Sequence, residues 1–153
     1  MKWGIMVLSS FQSHFQITSE TNCYQKTLLL LSMKILVTIN HLEKWGGSEK
    51  FVSYLIKGFQ ELGHYVYLLS LIQGDPYLEM IKKGVIPFNS EIKYDIAVCT
   101  HNSTLVNIWA TSILQICHGI YPYLEQPILG IDGHIAVSNE VKIRLKKHGI
   151  SSE

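Results

Sequence analysis

Four short clusters hold the groups best suited to chemistry: Gly46-Gly47, His118-Gly119, His101-Asn102-Ser103 and the tyrosine-bearing stretch at Tyr121. Paired glycines that open a helix bring backbone N–H groups and a positive dipole end together, which suits an anionic or sugar-phosphate ligand. His118 follows the apolar run Ile113-Leu114-Gln115-Ile116-Cys117. An imidazole there titrates near neutrality and can hydrogen-bond a sugar hydroxyl or a phosphate. His101, Asn102 and Ser103 end another apolar run and are suited to a neutral hydroxylated ligand, while Tyr121 and Tyr123 offer aromatic walls. Each cluster has a plain alternative: a strand-to-helix turn, a loop histidine held by backbone, a loop with an N-cap, and packing tyrosines.

The elements that must position these groups alternate along the chain. Lys34–Ile39 reads as a buried strand, and a helix follows from about Ser48 as N-cap. Val52, Leu55, Ile56, Phe59 and Leu62 lie on one face of that helix, with Gly63 as its stop. Tyr65–Leu71 reads as a second strand, and Tyr77–Lys83 as a short helix after Asp75-Pro76. Val85–Phe88 is a short strand, Tyr94–Cys99 a strand, Ser103–Ala110 a helix and Ser112–Cys117 a strand. His134–Val137 is a last strand, followed by a basic helix over Asn139–His148, capped by Ser138 and stopped by Gly149. Alternation of this kind predicts an α/β fold: a Rossmann-like, open, mostly parallel sheet with helices on both faces. Ligands of such sheets bind beyond the carboxyl ends of the strands, so residues 40–47, 72–75, 100–103 and 118–127 are the loops of interest. Residues 1–32 lack a sustained period and read as an N-terminal extension, with the Rossmann-like domain over 33–153 and Met33 a natural start.

Composition narrows the function. The 153 residues are 47% hydrophobic and 16% charged, which favours a filled core over disorder. A net charge of +1 gives no field to hold nucleic acid. Cys23, Cys99 and Cys117 are too few and too scattered for a disulfide framework or a zinc site. No metal or bound cofactor is expected. The opening MKWGIMVLSSFQ breaks into polar residues too soon for a signal peptide, and no segment reaches membrane-spanning length. A cytoplasmic protein is the expectation. Lys142, Arg144, Lys146 and Lys147 in the final helix leave open peripheral contact with the inner membrane face, or simply a solvated helix face.

The segments MKILVTIN, WGGSEKFVSYLIKGFQELGHYVYLLS, QICHGIYPY and HIAVSNEVKIRLKKHGI occur in order over residues 33–150. Together they resemble the N-terminal domain of retaining GT-B glycosyltransferases of the group 1, family 4 kind. The resemblance implies an acceptor-side domain facing a second, donor-binding domain across a cleft. It implies transfer of a sugar from a nucleotide-sugar to a carbohydrate or lipid-linked acceptor, without a metal. Carried onto this chain, Gly46 and Gly47 border the donor phosphates and His118, with Gly119 beside it, contacts the donor sugar. His101, Asn102, Ser103 and Tyr121 are candidates for the acceptor. The family's second domain carries a glutamate pair spaced E-x7-E, and no two glutamates here have that spacing. The resemblance therefore suggests a truncated enzyme, inactive by itself, whose second half is missing or separate and whose bare surface favours self-association. A non-catalytic module that binds carbohydrate, nucleotide or protein is the alternative. A nucleotide-dependent oxidoreductase is disfavoured because G-x-G-x-x-G is absent.

Overall fold

A run of four apolar side chains in five positions, Ile35, Leu36, Val37 and Ile39, makes β1 (Lys34–Leu42) a strand buried on both faces. Such a strand belongs at the centre of a parallel sheet. In the computed structural model β1 sits there, paired in parallel with β2 (Tyr65–Gln73) on one side and β4 (Tyr94–Cys99) on the other. Residues 32–101, 108–119 and 126–152 are described, and they belong to one compact unit, Ser32–Glu153. β3 (Ile86–Pro87), β5 (Ala110–Cys117) and β6 (Gly133–Ala136) complete a six-stranded sheet of order β3-β2-β1-β4-β5-β6 in which every pair is parallel. The chain starts in the middle, builds to one edge, then returns past β1 and builds to the other. The expected Rossmann-like open sheet is the fold.

Among the described residues, three helices cover it. α1 (Gly47–Glu61) and α2 (Asp75–Lys82) lie in crossovers that step the same way along the sheet, so right-handedness carries both to one face. α3 (Asn139–Lys147) packs through Val141 and Leu145 on Cys117 and Ala136. By register, Cys117 shares its face with Ile113, Ala97 and Leu36. On that face Leu36, Tyr67, Tyr94 and Ala97 form a cluster backed by Phe88, Ile92 and Ile108, the face opposite α1. At the amino edge of the sheet, carboxylates finish the ladder: Lys34 N–H donates to Asp95 and Ile113 N–H to Asp132, both at 2.7 Å.

Several element boundaries differ from the sequence reading, each for a physical reason. β1 runs three residues past Ile39, because His41 and Leu42 continue to pair with Ile72 and Gln73 of β2, which itself runs two residues past Leu71. Ser48 is not the N-cap of α1. Gly46 is, and Lys50 N–H closes the first turn on the Gly46 carbonyl at 3.2 Å, which places Ser48 inside the helix. α2 begins at Asp75 rather than Tyr77, with Pro76 in the first turn where its missing N–H costs nothing. β3 is shorter than expected, Ile86–Pro87 alone, an edge strand in which Pro87 faces the open side while Phe88 N–H still donates to the Leu68 carbonyl at 3.0 Å. Ile108 and Trp109 are not helical and Ala110 already belongs to β5, so the helix expected to end at Ala110 does not reach it. α3 holds its expected place: Val141 N–H donates to Ser138 Oγ at 3.3 Å, and Gly149 ends it at φ 75°. Among the described residues no helix is long and apolar enough to cross a membrane.

Candidate functional site

The reversal of strand order along the sheet falls between β1 and β4, and crevices at such switch points bind ligands at the carboxyl ends of the strands. Four loop starts gather at this rim: the residues after β1, Gly74 after β2, Thr100-His101 after β4 and His118-Gly119 after β5. The loops after β1 and β2 touch directly. Gly74 N–H donates to the Leu42 carbonyl at 3.0 Å, and a Cβ at Gly74 would lie 2.5 Å from the Glu43 carbonyl oxygen. Only glycine fits that approach.

α1 begins at the same rim. Gly46 is extended and supplies no side-chain cap, so the first N–H groups of the helix lack the serine or aspartate that usually accepts them. The Glu49 carboxylate instead folds back over Gly46, with its Oε2 2.5 Å from where a Cβ would stand. A negative group at that end of a helix is favourable. Among the described residues a Cβ at Gly47 would meet nothing within 4 Å, so their packing does not demand glycine there.

His118 is brought to the start of α1. Its ring lies 4.7 Å from the Phe51 ring, edge to face, one turn into the helix. The Nε2 atom is buried without a hydrogen-bond partner among the described residues. Burial, and then the neighbouring His101, push its pKa down to about 4, so the ring is neutral at pH 7. His101 is itself buried and its pKa is lowered by burial and by His41, against the opposing charge of Glu49. These mutual effects tie His41, Glu49, His101 and His118 into one electrostatic neighbourhood.

His101 also does a structural job. β4 stops pairing with β1 at Thr38–Cys99, so the next inward N–H, that of Asn40, has no strand carbonyl to meet. The His101 Nδ1 accepts it at 3.5 Å. Assigning Nδ1 as acceptor puts the ring proton on Nε2. Thr100 Oγ1 stands 3.3 Å from the same nitrogen, while its own proton goes to the Thr38 carbonyl at 2.7 Å.

Sequence reasoning did not single out Phe51, and it reached Asn40 and Thr100 only as members of the loops of interest and Glu49 only as part of the Ser48-Glu49 helix opening. Asn40 had a visible signal, an amide closing the otherwise apolar run Ile35–Ile39. Its Oδ1 is the other buried side-chain polar atom without a partner among the described residues. Of the expected site residues, Gly46, Gly47, His101, His118 and Gly119 all lie at the carboxyl rim, and His118 meets α1. Asn102, Ser103, Tyr121 and Tyr123 lie outside the described residues. Cys99 is buried with its thiol pushed up to about 11, and Cys117 is also buried, so both pack rather than react. Among the described residues no His, Cys, Asp or Glu cluster is placed to hold a metal ion.

The chain matches no family model, no curated protein and no solved structure. The chemistry must therefore be taken from the rim itself. It offers backbone N–H groups at α1, two imidazoles held toward their neutral forms and a buried amide, groups whose chemistry is hydrogen bonding to polar partners.

Proposed function

We propose that the chain is the acceptor-side half of a glycosyltransferase, binding a nucleotide-sugar and a carbohydrate or lipid-linked acceptor at the carboxyl rim of the sheet. The observation that carries this reading is the contact between Phe51 and His118, which sets a neutral imidazole with a free Nε2 against the cap-free start of α1. Gly47 supports it, because the fold gives it room for a side chain that it lacks, as close approach of a ligand requires. Glu49 adds a condition. Its carboxylate covers Gly46, so a donor phosphate takes that end of α1 only by displacing it. Catalysis in such an enzyme rests on positioning two sugars and stabilising the departing diphosphate. The rim of this sheet supplies one wall of the cleft, so the expected behaviour is binding without turnover.

A second reading, a binding module without catalysis, draws on the two rim histidines. Both are held toward their neutral forms. Calorimetric titration of the purified chain with nucleotide-sugars and with neutral acceptor sugars separates the outcomes. Saturable binding with no product supports both readings, and product on adding a donor-domain protein selects the transferase. No heat with any nucleotide-sugar or sugar overturns the carbohydrate assignment altogether.

A further inference from the structure

We propose that His101 is an acid-sensitive latch between β4 and β1. In the neutral ring Nδ1 accepts the Asn40 N–H; on protonation the same nitrogen donates to Thr100 Oγ1 instead and releases the end of β1. The inference stands apart from the carbohydrate reading, since it concerns the shape of the rim rather than its ligand. Pairing between the two strands ends at Thr38–Cys99, and Thr100 and His101 carry the join beyond it. Thr100 donates both its N–H and its Oγ1 proton to the Thr38 carbonyl, at 3.1 and 2.7 Å. Neither bond involves a group that titrates near neutrality. The Asn40 N–H donates to His101 Nδ1 at 3.5 Å, and that bond does.

An imidazole nitrogen accepts a hydrogen bond only while it carries no proton. Once protonated, Nδ1 meets the Asn40 N–H as donor against donor, and the bond is lost. Thr100 Oγ1 lies 3.3 Å from the same nitrogen and, with its own proton committed to Thr38, has a lone pair to offer. Each protonation state of the ring thus has its own partner in place. Asn40 is 3% exposed, so its released N–H reaches water only if the end of β1 shifts. The titratable groups around His101 are His41 on β1, Glu49 on α1 and His118 after β5. Burial and then His41 oppose the proton, whereas Glu49 favours it. His101 therefore titrates below its usual 6.5 in the folded chain. The latch is shut above that pH and opens as pH falls through the lowered value. The rim is fixed near neutrality and loosened in acid.

Amide hydrogen exchange read by NMR between pH 7.5 and pH 4.5 tests the latch. Protection of the Asn40 amide should fall about tenfold as the His101 ring titrates, the loss of one hydrogen bond. Val37, in the buried middle of β1, should keep its protection over the same range. His101→Asn sets a non-titrating amide oxygen near the place of Nδ1, and should hold Asn40 protection constant. A fall shared equally by Val37 is global unfolding and overturns the latch. So does flat Asn40 protection in the parent, an undiminished fall in His101→Asn, or nitrogen shifts that place the neutral ring's proton on Nδ1. If His101→Asn does not fold, the parent decides: the Asn40 change must follow the ring titration of His101, and a mismatch in pH overturns the proposal.

Discussion

Two helices begin at the same rim and solve the same problem differently. α3 finishes itself: the Ser138 hydroxyl accepts the Val141 N–H, and basic residues gather in its last turn. α1 starts on Gly46, takes no side-chain cap, and has the Glu49 carboxylate laid over its first residue. Beside α1 stands the buried His118 imidazole, whose Nε2 has no hydrogen-bond partner among the described residues. Helix starts in a parallel sheet are interchangeable as architecture, so the asymmetry is what sets the α1 side apart and makes it the place to test for a ligand.

Acidification should give the largest separation between the two sides. The His118 pKa lies near 4 in the folded protein against 6.5 in the unfolded chain, so the folded state binds fewer protons in that window. Stability is then full above pH 6.5 and falls as pH drops toward 4, by up to about 3 kcal/mol from this group alone. His101 is shifted the same way and adds to the slope. Urea melts at pH 7 and pH 4.5 measure the slope, and His118→Gln should flatten it. An unchanged slope in that variant would remove the claim that His118 is buried as the neutral ring.

Gly74→Ala tests whether the α1 side is held together by contact between loops. Its Cβ would meet backbone atoms of Glu43 at 2.5 to 3.0 Å, which cannot yield as a flexible side chain would. A loss of about 2 to 3 kcal/mol in chemical denaturation is expected, comparable with overpacking a core. A neutral result would show that the loops after β1 and β2 separate easily.

The smallest pair of changes compares the caps themselves. Ser138→Ala should cost about 1 kcal/mol, the usual loss of an N-cap hydroxyl. Gly47→Ala, with open space around the new Cβ, should leave stability equal or higher by about 0.5 to 1 kcal/mol, since alanine favours a helix over glycine. The same variant should weaken nucleotide-sugar binding if the ligand approaches the backbone there. A stabilised protein with unchanged binding would dissolve the contrast between the two helix starts.

Much of the architecture was legible because burial on both faces leaves a plain trace. Ile35–Ile39, apolar at all but Thr38, and Ile96–Cys99 are buried runs, and the amphipathic face of α1 uses the expected Val52, Leu55, Ile56 and Phe59. Boundaries were less legible. Gly46 caps α1 through backbone geometry alone, whereas side-chain preference points to Ser48. His41 and Leu42 extend β1 because β2 extends beside them, a reason lying thirty residues away in sequence.

The sequence by itself determined the alternation of strands and helices, the parallel sheet, the stops at Gly63 and Gly149, and the rim on which the glycines and histidines had to fall. Those properties depend on local periodicity and backbone preference. Only the tertiary structure decided that Phe51 meets His118, that His101 replaces a missing strand carbonyl for Asn40, and that Glu49 closes over Gly46. Such pairings depend on where one strand outlasts its neighbour, and that is settled between segments rather than within them.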